Sequence, residues 1–219
     1  MRRLSIDMSN RPEGYFSYKR TEMLRYVPIS AHTILDVGCG DGSFGMEVKN
    51  QFRAEVWGIE INKEVASVAA KRIDKVLDGD VSTIIGQLPN SYFDCIFFND
   101  ILEHLVDPYK VLISIKHNLR PEGIVICSLP NVRYFFVLYD LLVKKQWIYQ
   151  DVGVLDKAHL RFFTRSSIID MFGALDYQVL KIEGINPIMS WKYHVLNIAS
   201  LGYLSDTRYQ QFACVAKPK

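Results

Sequence analysis

The sequence lacks the features typical of membrane-spanning, secreted or nucleic-acid-binding proteins. Its 26 basic and 24 acidic residues give a net charge of only +2, which is no strong nucleic-acid signal. The longest apolar segment, 134–143, is interrupted by Asp140 and is too short for a transmembrane segment. The first residues, MRRLSIDMSNRPEGY, include no apolar run and are not typical of a signal peptide. Contact with a membrane surface stays compatible with the sequence.

Cysteine is scarce, and its spacing excludes two kinds of site. The four cysteines, Cys39, Cys95, Cys127 and Cys214, lie far apart and form no CxxC pair. This spacing indicates neither a disulfide framework nor a zinc site. We therefore expect buried, reduced thiols in a cytoplasmic protein.

The composition is that of an ordinary globular protein, with 49% apolar and 23% charged residues. Short β-branched runs alternate with helical patterns, which predicts a parallel sheet with crossover helices. Several runs, such as CIFF and IVICSL, are apolar on successive residues, as in strands buried on both faces. The predicted strands are 33–37, 55–59, 75–77, 94–98, 123–128, 178–183 and 212–216.

Predicted helices follow nearly every strand, at 43–51, 63–73, 108–119 and 164–174, and another precedes the first strand at 13–27. Asp107 and Thr164 are suitable N-caps, and Pro108 suits a first helical position. The last two strands have no helix predicted between them, which indicates a closing antiparallel pair. The predicted fold is a doubly wound α/β domain over residues 1–219. It has a seven-stranded, mostly parallel sheet with a closing antiparallel strand and helices on both faces.

Two aromatic-rich segments, 132–163 and 186–207, do not fit the alternation. Both follow the ends of strands, where open α/β sheets bind ligands. We interpret them as lids whose aromatic side chains line a substrate pocket. The alternative is that they only pack on the sheet.

A glycine-rich turn follows the first strand directly, in ILDVGCGDGSFG. Glycines allow a tight turn and bring backbone amides against a ligand. Glu60 ends the second strand, 22 residues after Gly38, and an acidic residue at that spacing accepts hydrogen bonds from ribose hydroxyls. Asp36 and Asp41 beside the turn would repel a pyrophosphate. They suit a ligand with an ammonium and a sulfonium, as in S-adenosylmethionine.

The motifs LDVGCGDGSFG, WGIEIN, LDGDV, FDCIFFNDILEHL and LRPEGIVICSLPN resemble, in order and spacing, the Rossmann-like (class I) S-adenosylmethionine-dependent methyltransferases. The resemblance implies that Asp36, Gly38, Cys39 and Gly40 hold the methionine end of the cofactor, and that Glu60 and Ile61 lie at the ribose. It implies that Asp80 contacts the adenine amino group beside Val81, and that Asn99 and Ile101 flank the methionine and the ring. Tyr15, Tyr18 and Arg20 of the leading helix would close over the carboxylate. Asp36 as a turn cap and Asp80 as a helix cap are the structural alternatives.

The acceptor side contains candidates for a general base. Glu103 and His104 follow the fourth strand in NDILEHL, and His159 lies in DKAHLRFFTR with Arg161. His104 is the favoured base, since imidazole titrates near neutral pH; alternatively, Glu103 and His104 only fix the loop. The segment from His159 to Thr164 resembles one in small methyltransferases of polysaccharide and glycolipid biosynthesis, and it binds a sugar hydroxyl or phosphate or anchors the lid.

A metal site is the competing interpretation. Asp100, Glu103 and His104 have i, i+3, i+4 spacing and would share one face of a helical turn. With His159 they offer carboxylate and imidazole ligands for a divalent cation. Terminal 2′-O-methyltransferases of small RNAs and ubiquinone-pathway O-methyltransferases have similar residues. The site predicted from the sequence contains no metal.

The sequence thus predicts O-methylation of a small or glycan-like acceptor with S-adenosylmethionine as cofactor. The alternatives are metal-assisted O-methylation of an RNA terminus or a quinol, and a catalytically silent adenosylmethionine-binding module. A homodimer is compatible with the sequence.

Overall fold

A computed structural model describes Gly14 and residues 16–219. Seven strands in this part of the chain form one sheet, and they are β1 Thr33–Val37, β2 Glu55–Glu60, β3 Lys75–Asp78, β4 Phe93–Asn99, β5 Leu119–Pro130, β6 Tyr177–Pro187 and β7 Tyr209–Pro218. Their order is β3-β2-β1-β4-β5-β7-β6. Strands β1 to β5 pair in parallel, and β7 runs antiparallel to both β5 and β6. The predicted fold class is confirmed.

Seven α-helices connect the strands, and they are α1 Ser43–Phe52, α2 Lys63–Ala69, α3 Val81–Ile84, α4 Pro108–Ser114, α5 Phe135–Leu142, α6 Arg165–Ala174 and α7 Trp191–Ala199. Both predicted N-caps are confirmed. The Asp107 carboxylate accepts from the Lys110 amide at 3.0 Å, and the Thr164 hydroxyl accepts from the Ser167 amide at 3.2 Å. These caps fix where α4 and α6 begin.

The sheet is buried on both faces, as the continuous apolar runs predict. Successive side chains of a strand point to opposite faces. On β4, Ile96 and Phe98 pack in the core that includes α4 and α6, whereas Cys95 and Phe97 pack in the core that includes α1. The four cysteines are buried free thiols, as expected.

Two sequence predictions of helices are wrong. A helix was predicted at 13–27. In the part of this range that the structure describes, there is only a short 3-10 helix, Thr21–Tyr26. Arg20 immediately before it has φ of 44°, a left-handed conformation that no helix continues through. The second error concerns the last two strands, since α7 lies between β6 and β7.

The two predicted lid segments leave the sheet at the carboxyl ends of its strands, which we call the carboxyl edge. Helix α5 follows β5, and α7 follows β6, which runs in the same direction as β5. The glycine turn follows β1 at that edge. No helix in the described part of the chain has the length and apolar character needed to span a membrane.

Candidate active site

The turn after β1 is shaped by glycines at positions that exclude a side chain. Gly38 and Gly40 have φ of 74° and 54°, which non-glycine residues rarely adopt. A Cβ on Gly38 would lie 2.0 Å from the Ile101 Cδ1 atom. The Gly38 amide donates to the Ile59 carbonyl at 2.8 Å. The turn is therefore fixed against β2 on one side and covered by Ile101 on the other.

Glu60 connects the end of β2 to this turn. Its Oε2 accepts from the Gly40 amide at 3.0 Å, and its Oε1 accepts from the Asn62 amide at 2.9 Å. Burial raises the pKa of Glu60, while these backbone hydrogen bonds oppose the increase. Each carboxylate oxygen has two lone pairs, so both retain capacity for a further donor.

Asp36, on β1, is a buried carboxyl with an unsatisfied oxygen. Its Oδ1 has no hydrogen-bond partner among the described residues, so this atom does not cap the turn. Burial, followed by the nearby Glu60 carboxylate, raises the pKa of Asp36 to about 8, and Arg20 opposes the increase. An unpaired buried carboxyl is costly. A cationic group of a ligand would provide the missing partner.

Asn99, at the end of β4, has the same unsatisfied character. Within the described part of the chain, neither its Nδ2 nor its Oδ1 has a hydrogen-bond partner, although both atoms are buried. Strands β1 and β4 are neighbours, so Asn99 and Asp36 belong to adjacent strands. Since buried polar atoms are nearly always satisfied, these atoms mark a position that a polar ligand would occupy.

Asp100 is held by residues from three distant parts of the chain. Its Oδ1 accepts from the Ser128 hydroxyl at 2.8 Å and from the Gln211 amide at 2.7 Å. Its Oδ2 pairs with the Arg20 guanidinium. Arg20, predicted to close over the cofactor's carboxylate, is thus engaged by a protein carboxylate at the carboxyl edge.

The prediction that Asp100, Glu103 and His104 share one helical face is wrong. The turn is a 3-10 helix, Leu102–His104, with a tighter repeat than an α-helix. Asp100 precedes it in a left-handed conformation, with φ of 55°. Consequently the Asp100 carboxylate lies outside the group of side chains formed around Glu103.

Glu103, His104 and His159 come together, the arrangement that the competing metal interpretation requires. Glu103 is fully buried, and neither carboxylate oxygen has a hydrogen-bond partner in the described residues. Burial, then Asp100, raises the pKa of Glu103 well above its usual range. The His159 Nε2 is 3.9 Å from Glu103 Oε1, and the two imidazole centroids are 4.7 Å apart. One ligand atom from each of the three residues lies within 4.8 Å of the others.

Backbone carbonyls determine the tautomer of both histidines. The His104 Nδ1 is 3.1 Å from the Ala158 oxygen, and the His159 Nδ1 is 3.0 Å from the Val154 oxygen. A carbonyl oxygen only accepts, so each Nδ1 carries a hydrogen. In the neutral rings Nε2 is therefore the nitrogen that carries the lone pair and can accept a proton.

The loop that carries His159 is anchored to the turn that carries His104. The Leu160 and Arg161 amides donate to the Glu103 carbonyl at 2.9 and 3.2 Å. The Arg161 guanidinium donates to the Val106 carbonyl. Arg161 therefore anchors the loop, which was one of its two predicted roles.

The adenine-side prediction places Asp80 at a helix N-terminus. Asp80 caps α3, and its Oδ1 accepts from the Ser82 amide at 2.9 Å and the Ser82 hydroxyl at 2.8 Å. Val81 is the buried first residue of α3. The capping role is therefore present, and contact with adenine stays a prediction.

Three other predicted residues differ in exposure. Tyr18 and Ile61 are 63% and 60% exposed. The Cys39 side chain is buried, and its sulfur would lie 2.5 Å from a Cβ on Gly58, so it packs against β2. Tyr15 lies outside the described residues.

Comparison with known proteins decides the family. The model described as "Methyltransferase domain" matches residues 11–182. The chain belongs to this methyltransferase family. Its fold places it among the class I methyltransferases, whose cofactor is S-adenosylmethionine.

Curated relatives of this methyltransferase differ in their acceptors. It is 28% identical over 107 residues to phosphoethanolamine N-methyltransferase 2 of Caenorhabditis elegans, covering 47% of this chain and 24% of the relative. It is 24% identical over 165 residues to a ubiquinone biosynthesis O-methyltransferase of Rickettsia typhi, covering 74% and 66%. The chain thus spans less than two thirds of either relative.

Solved structures support the fold. A SAM-dependent methyltransferase from Archaeoglobus fulgidus superposes with a TM-score of 0.66 at 19% identity, over 90% of this chain and 91% of that chain. At this identity the likeness concerns the fold alone.

Sequence reasoning missed several residues that complete the methyltransferase site. Ser128 donates to Asp100. It lies near the carboxyl end of β5, and that position could have revealed it. Gln211 had no such signal, because it enters through the antiparallel β7. Arg72 was also missed: it pairs with Asp41 at 2.5 Å and lowers the pKa of that carboxyl together with the Ser43 and Ser17 hydroxyls. Asp41 is therefore already neutralised by the protein.

Proposed function

We propose that this methyltransferase methylates a hydroxyl group of a small or glycan-like acceptor, with His104 as general base. The observation that carries the proposal is the hydrogen bond from His104 Nδ1 to the Ala158 carbonyl. It leaves Nε2 basic, and His104 is only three residues beyond Ile101, which covers the glycine turn. A basic nitrogen beside the cofactor turn is what deprotonation of an acceptor hydroxyl requires.

The unsatisfied atoms of the site fit the cofactor. S-Adenosylmethionine, when bound, supplies a methyl group activated by a sulfonium leaving group. Asp36 Oδ1 and the Asn99 amide, both buried and unpaired among the described residues, would hold its amino-acid end. Glu60, with acceptor capacity left on both oxygens, would hold the ribose hydroxyls, and Asp80 with Val81 would lie at the adenine.

The protein's part in the reaction is to position the acceptor and take its proton. When the acceptor oxygen takes the methyl group that the bound cofactor would supply, its hydroxyl proton would pass to His104 Nε2. Glu103, fully buried and with Oε1 3.9 Å from His159 Nε2, is a positioning residue. Such general-base help is worth roughly 10²–10⁴ in rate.

The acceptor class rests on a pocket beside the His159 loop. A pocket of about 420 Å³ lies next to α5, and Val154, whose carbonyl holds His159, is one of its residues. Its walls combine aromatic rings with amide and ammonium groups, from Tyr134, Phe136, Tyr139, Lys144, Gln150, Lys192 and Gln210. Aromatic faces with nearby donors suit a ring that carries several hydroxyls. This agrees with the resemblance of the HLRFFT segment to polysaccharide and glycolipid methyltransferases.

A second candidate is metal-assisted O-methylation, favoured by the meeting of Glu103, His104 and His159. A backbone carbonyl on Nδ1 is the usual support of a metal-ligating imidazole. Ligands at roughly 2.0–2.2 Å from one ion lie at most about 4.4 Å apart. The three ligand atoms of this protein lie within 4.8 Å of one another. A small movement of the side chains would therefore suffice to bring them to one cation.

One experiment separates the two candidates. An acceptor is first identified by screening sugar nucleotides, quinols and short RNAs with radiolabelled cofactor. For a general base, we expect activity to survive strong chelators, and His104→Ala to lose on the order of 10²–10⁴ in turnover with cofactor affinity unchanged in calorimetry. His117→Ala, at an exposed histidine in the 3-10 helix Ile115–Asn118, is the matched control and should retain activity.

The metal mechanism gives the opposite pattern. Chelation would abolish activity and an added divalent cation would restore it, with His104→Ala and His159→Ala equally impaired. Calorimetry with the cation alone would show binding to the wild type and not to either variant. Activity in His104→Ala equal to that of the wild type would contradict both mechanisms.

A further inference from the structure

The exposed apolar residues of this protein are concentrated in two segments. Of the 25 large apolar side chains exposed in the described part of the chain, sixteen lie at 134–152 or 189–203. They are Phe136, Tyr139, Leu141, Leu142, Val143, Trp147, Ile148, Tyr149, Val152, Met189, Trp191, Val195, Leu196, Ile198, Leu201 and Tyr203. We name these two segments together the insert surface. Contiguous exposed apolar patches of this kind mark interaction sites.

The two segments are joined into one surface. The rings of Phe135, on α5, and Tyr193, on α7, meet edge to face with centroids 6.2 Å apart. Arg133 pairs with Asp206 through two contacts, of 2.6 and 3.1 Å, which tie the start of one segment to the end of the other. These contacts hold the two segments beside each other.

Helix α7 shows how little of this surface the fold itself covers. Of its nine residues only Tyr193 is buried. Trp191 and Ile198 are 71% and 76% exposed, and Leu201, just beyond the helix, is 97% exposed. A helix that leaves most of its apolar residues in water lacks the partner for which its sequence is suited.

The charges on the insert surface identify that partner. Residues 188–204 contain no Asp or Glu, and Lys192 is exposed among them. At the end of α5, Lys144 and Lys145 are exposed. The two carboxylates of this segment are each paired with a lysine, Asp140 with Lys144 and Asp151 with Lys157, both at 2.7 Å. Apolar residues with tryptophan and tyrosine, bordered by lysines, are the composition of segments that bind the interface of anionic membranes.

We propose that the insert surface binds the interface of an anionic lipid bilayer, with the apolar side chains that do not line the acceptor pocket among the acyl chains and with Lys145 and Lys192 at the headgroups. Because both segments leave the sheet at the carboxyl edge, binding turns the edge that bears His104 and the glycine turn towards the membrane. An acceptor with a lipid anchor would then meet the site without leaving the bilayer. The proposal depends on the surface alone and holds for either catalytic mechanism.

Vesicle binding of the whole chain tests it directly. Vesicles of phosphatidylcholine are compared with vesicles that also contain phosphatidylglycerol, by co-sedimentation and by tryptophan emission. We expect binding to the anionic vesicles, weaker at high salt, with a blue shift that persists in Trp57→Phe, since Trp147 and Trp191 remain. Lys145→Gln with Lys192→Gln should weaken binding by about 25-fold, from about fivefold per basic residue.

Variants on the insert surface are compared with matched controls at the amino ends of the strands. Trp191→Ser and Leu201→Ser should each weaken binding severalfold. Ile29→Ser, at a side chain 94% exposed just before β1, and Lys71→Gln, before β3, should bind like the wild type. The proposal is overturned if the protein does not bind the anionic vesicles. It is also overturned by a dimer in sedimentation velocity that Leu201→Ser dissociates, because the surface would then bind a second copy.

Discussion

At the scale of single residues, Asp36 links the stability of the protein to its ligand. Its carboxyl has an ordinary pKa near 3.8 when exposed, and burial raises that pKa to about 8 in the fold. The folded protein thus binds the Asp36 proton more tightly than the unfolded chain does. Between these two pH values the contribution of Asp36 to the free energy of unfolding decreases as pH rises, and above about 8 it is fully lost.

We therefore expect Asp36→Asn to flatten this pH dependence in the free protein. The variant should melt at a higher temperature than the wild type above about pH 8, since it cannot acquire the buried charge. It should also bind S-adenosylmethionine more weakly, by about 1.5–3 kcal/mol for a lost hydrogen bond between charged groups. Thermal melts across pH, with calorimetry, measure both effects. Asp78→Asn, at the exposed end of β3, is the control, and equal melts for wild type and Asp36→Asn at high pH would contradict the assignment.

Glu60→Ala tests the ribose end. We expect it to weaken both S-adenosylmethionine and its demethylated product by about 1–3 kcal/mol, because both share the ribose. Since Glu60 also accepts the Gly40 and Asn62 amides, Glu60→Gln separates turn geometry from charge. Unchanged affinity of Glu60→Ala in calorimetry would refute the ribose assignment.

At the scale of elements, α5 and α7 are short helices with little buried surface. Helices of eight and nine residues are marginal without packing. We expect weak protection of their amides from hydrogen exchange in the free protein, and stronger protection with cofactor and acceptor together. Helix α6, with Ile168, Met171 and Phe172 buried, is the internal reference. Protection of α5 and α7 equal to that of α6 without ligands would show that they are ordinary core elements and not lids.

Strands were the elements that the sequence predicted best, because a strand buried on both faces must be apolar at successive positions. All seven predicted strands overlap observed ones. The leading helix could not be predicted correctly, since the left-handed Arg20 is fixed by its ion pairs with Asp100 and Glu22. Helix α7 was missed because its apolar residues are not arranged for burial in the domain.

At the scale of the whole molecule, the parts of the site that could be predicted are those that lie at the end of a strand in the sequence. The glycine turn, Glu60 and the Glu103–His104 pair lie directly after strands, where parallel sheets place their functional residues. His159 was predicted as a candidate, yet its approach to Glu103 depends on backbone contacts that no motif records. Gln211 could not be found, because only the strand order brings it 2.7 Å from Asp100.

That strand order also sets a sequence of events while the ribosome makes the chain. In the described sheet β6 pairs with β7 alone, yet β6 is synthesised first. A nascent chain that ends before residue 209 therefore exposes β6 as an unpaired strand and leaves the β5 edge open. Only when β7 emerges can it pair with both β5 and β6. The same step brings Gln211 to Asp100. The site at the carboxyl ends of the strands is thus completed only once β7 has been synthesised, so a chain that stalls before residue 209 holds the glycine turn without the finished site.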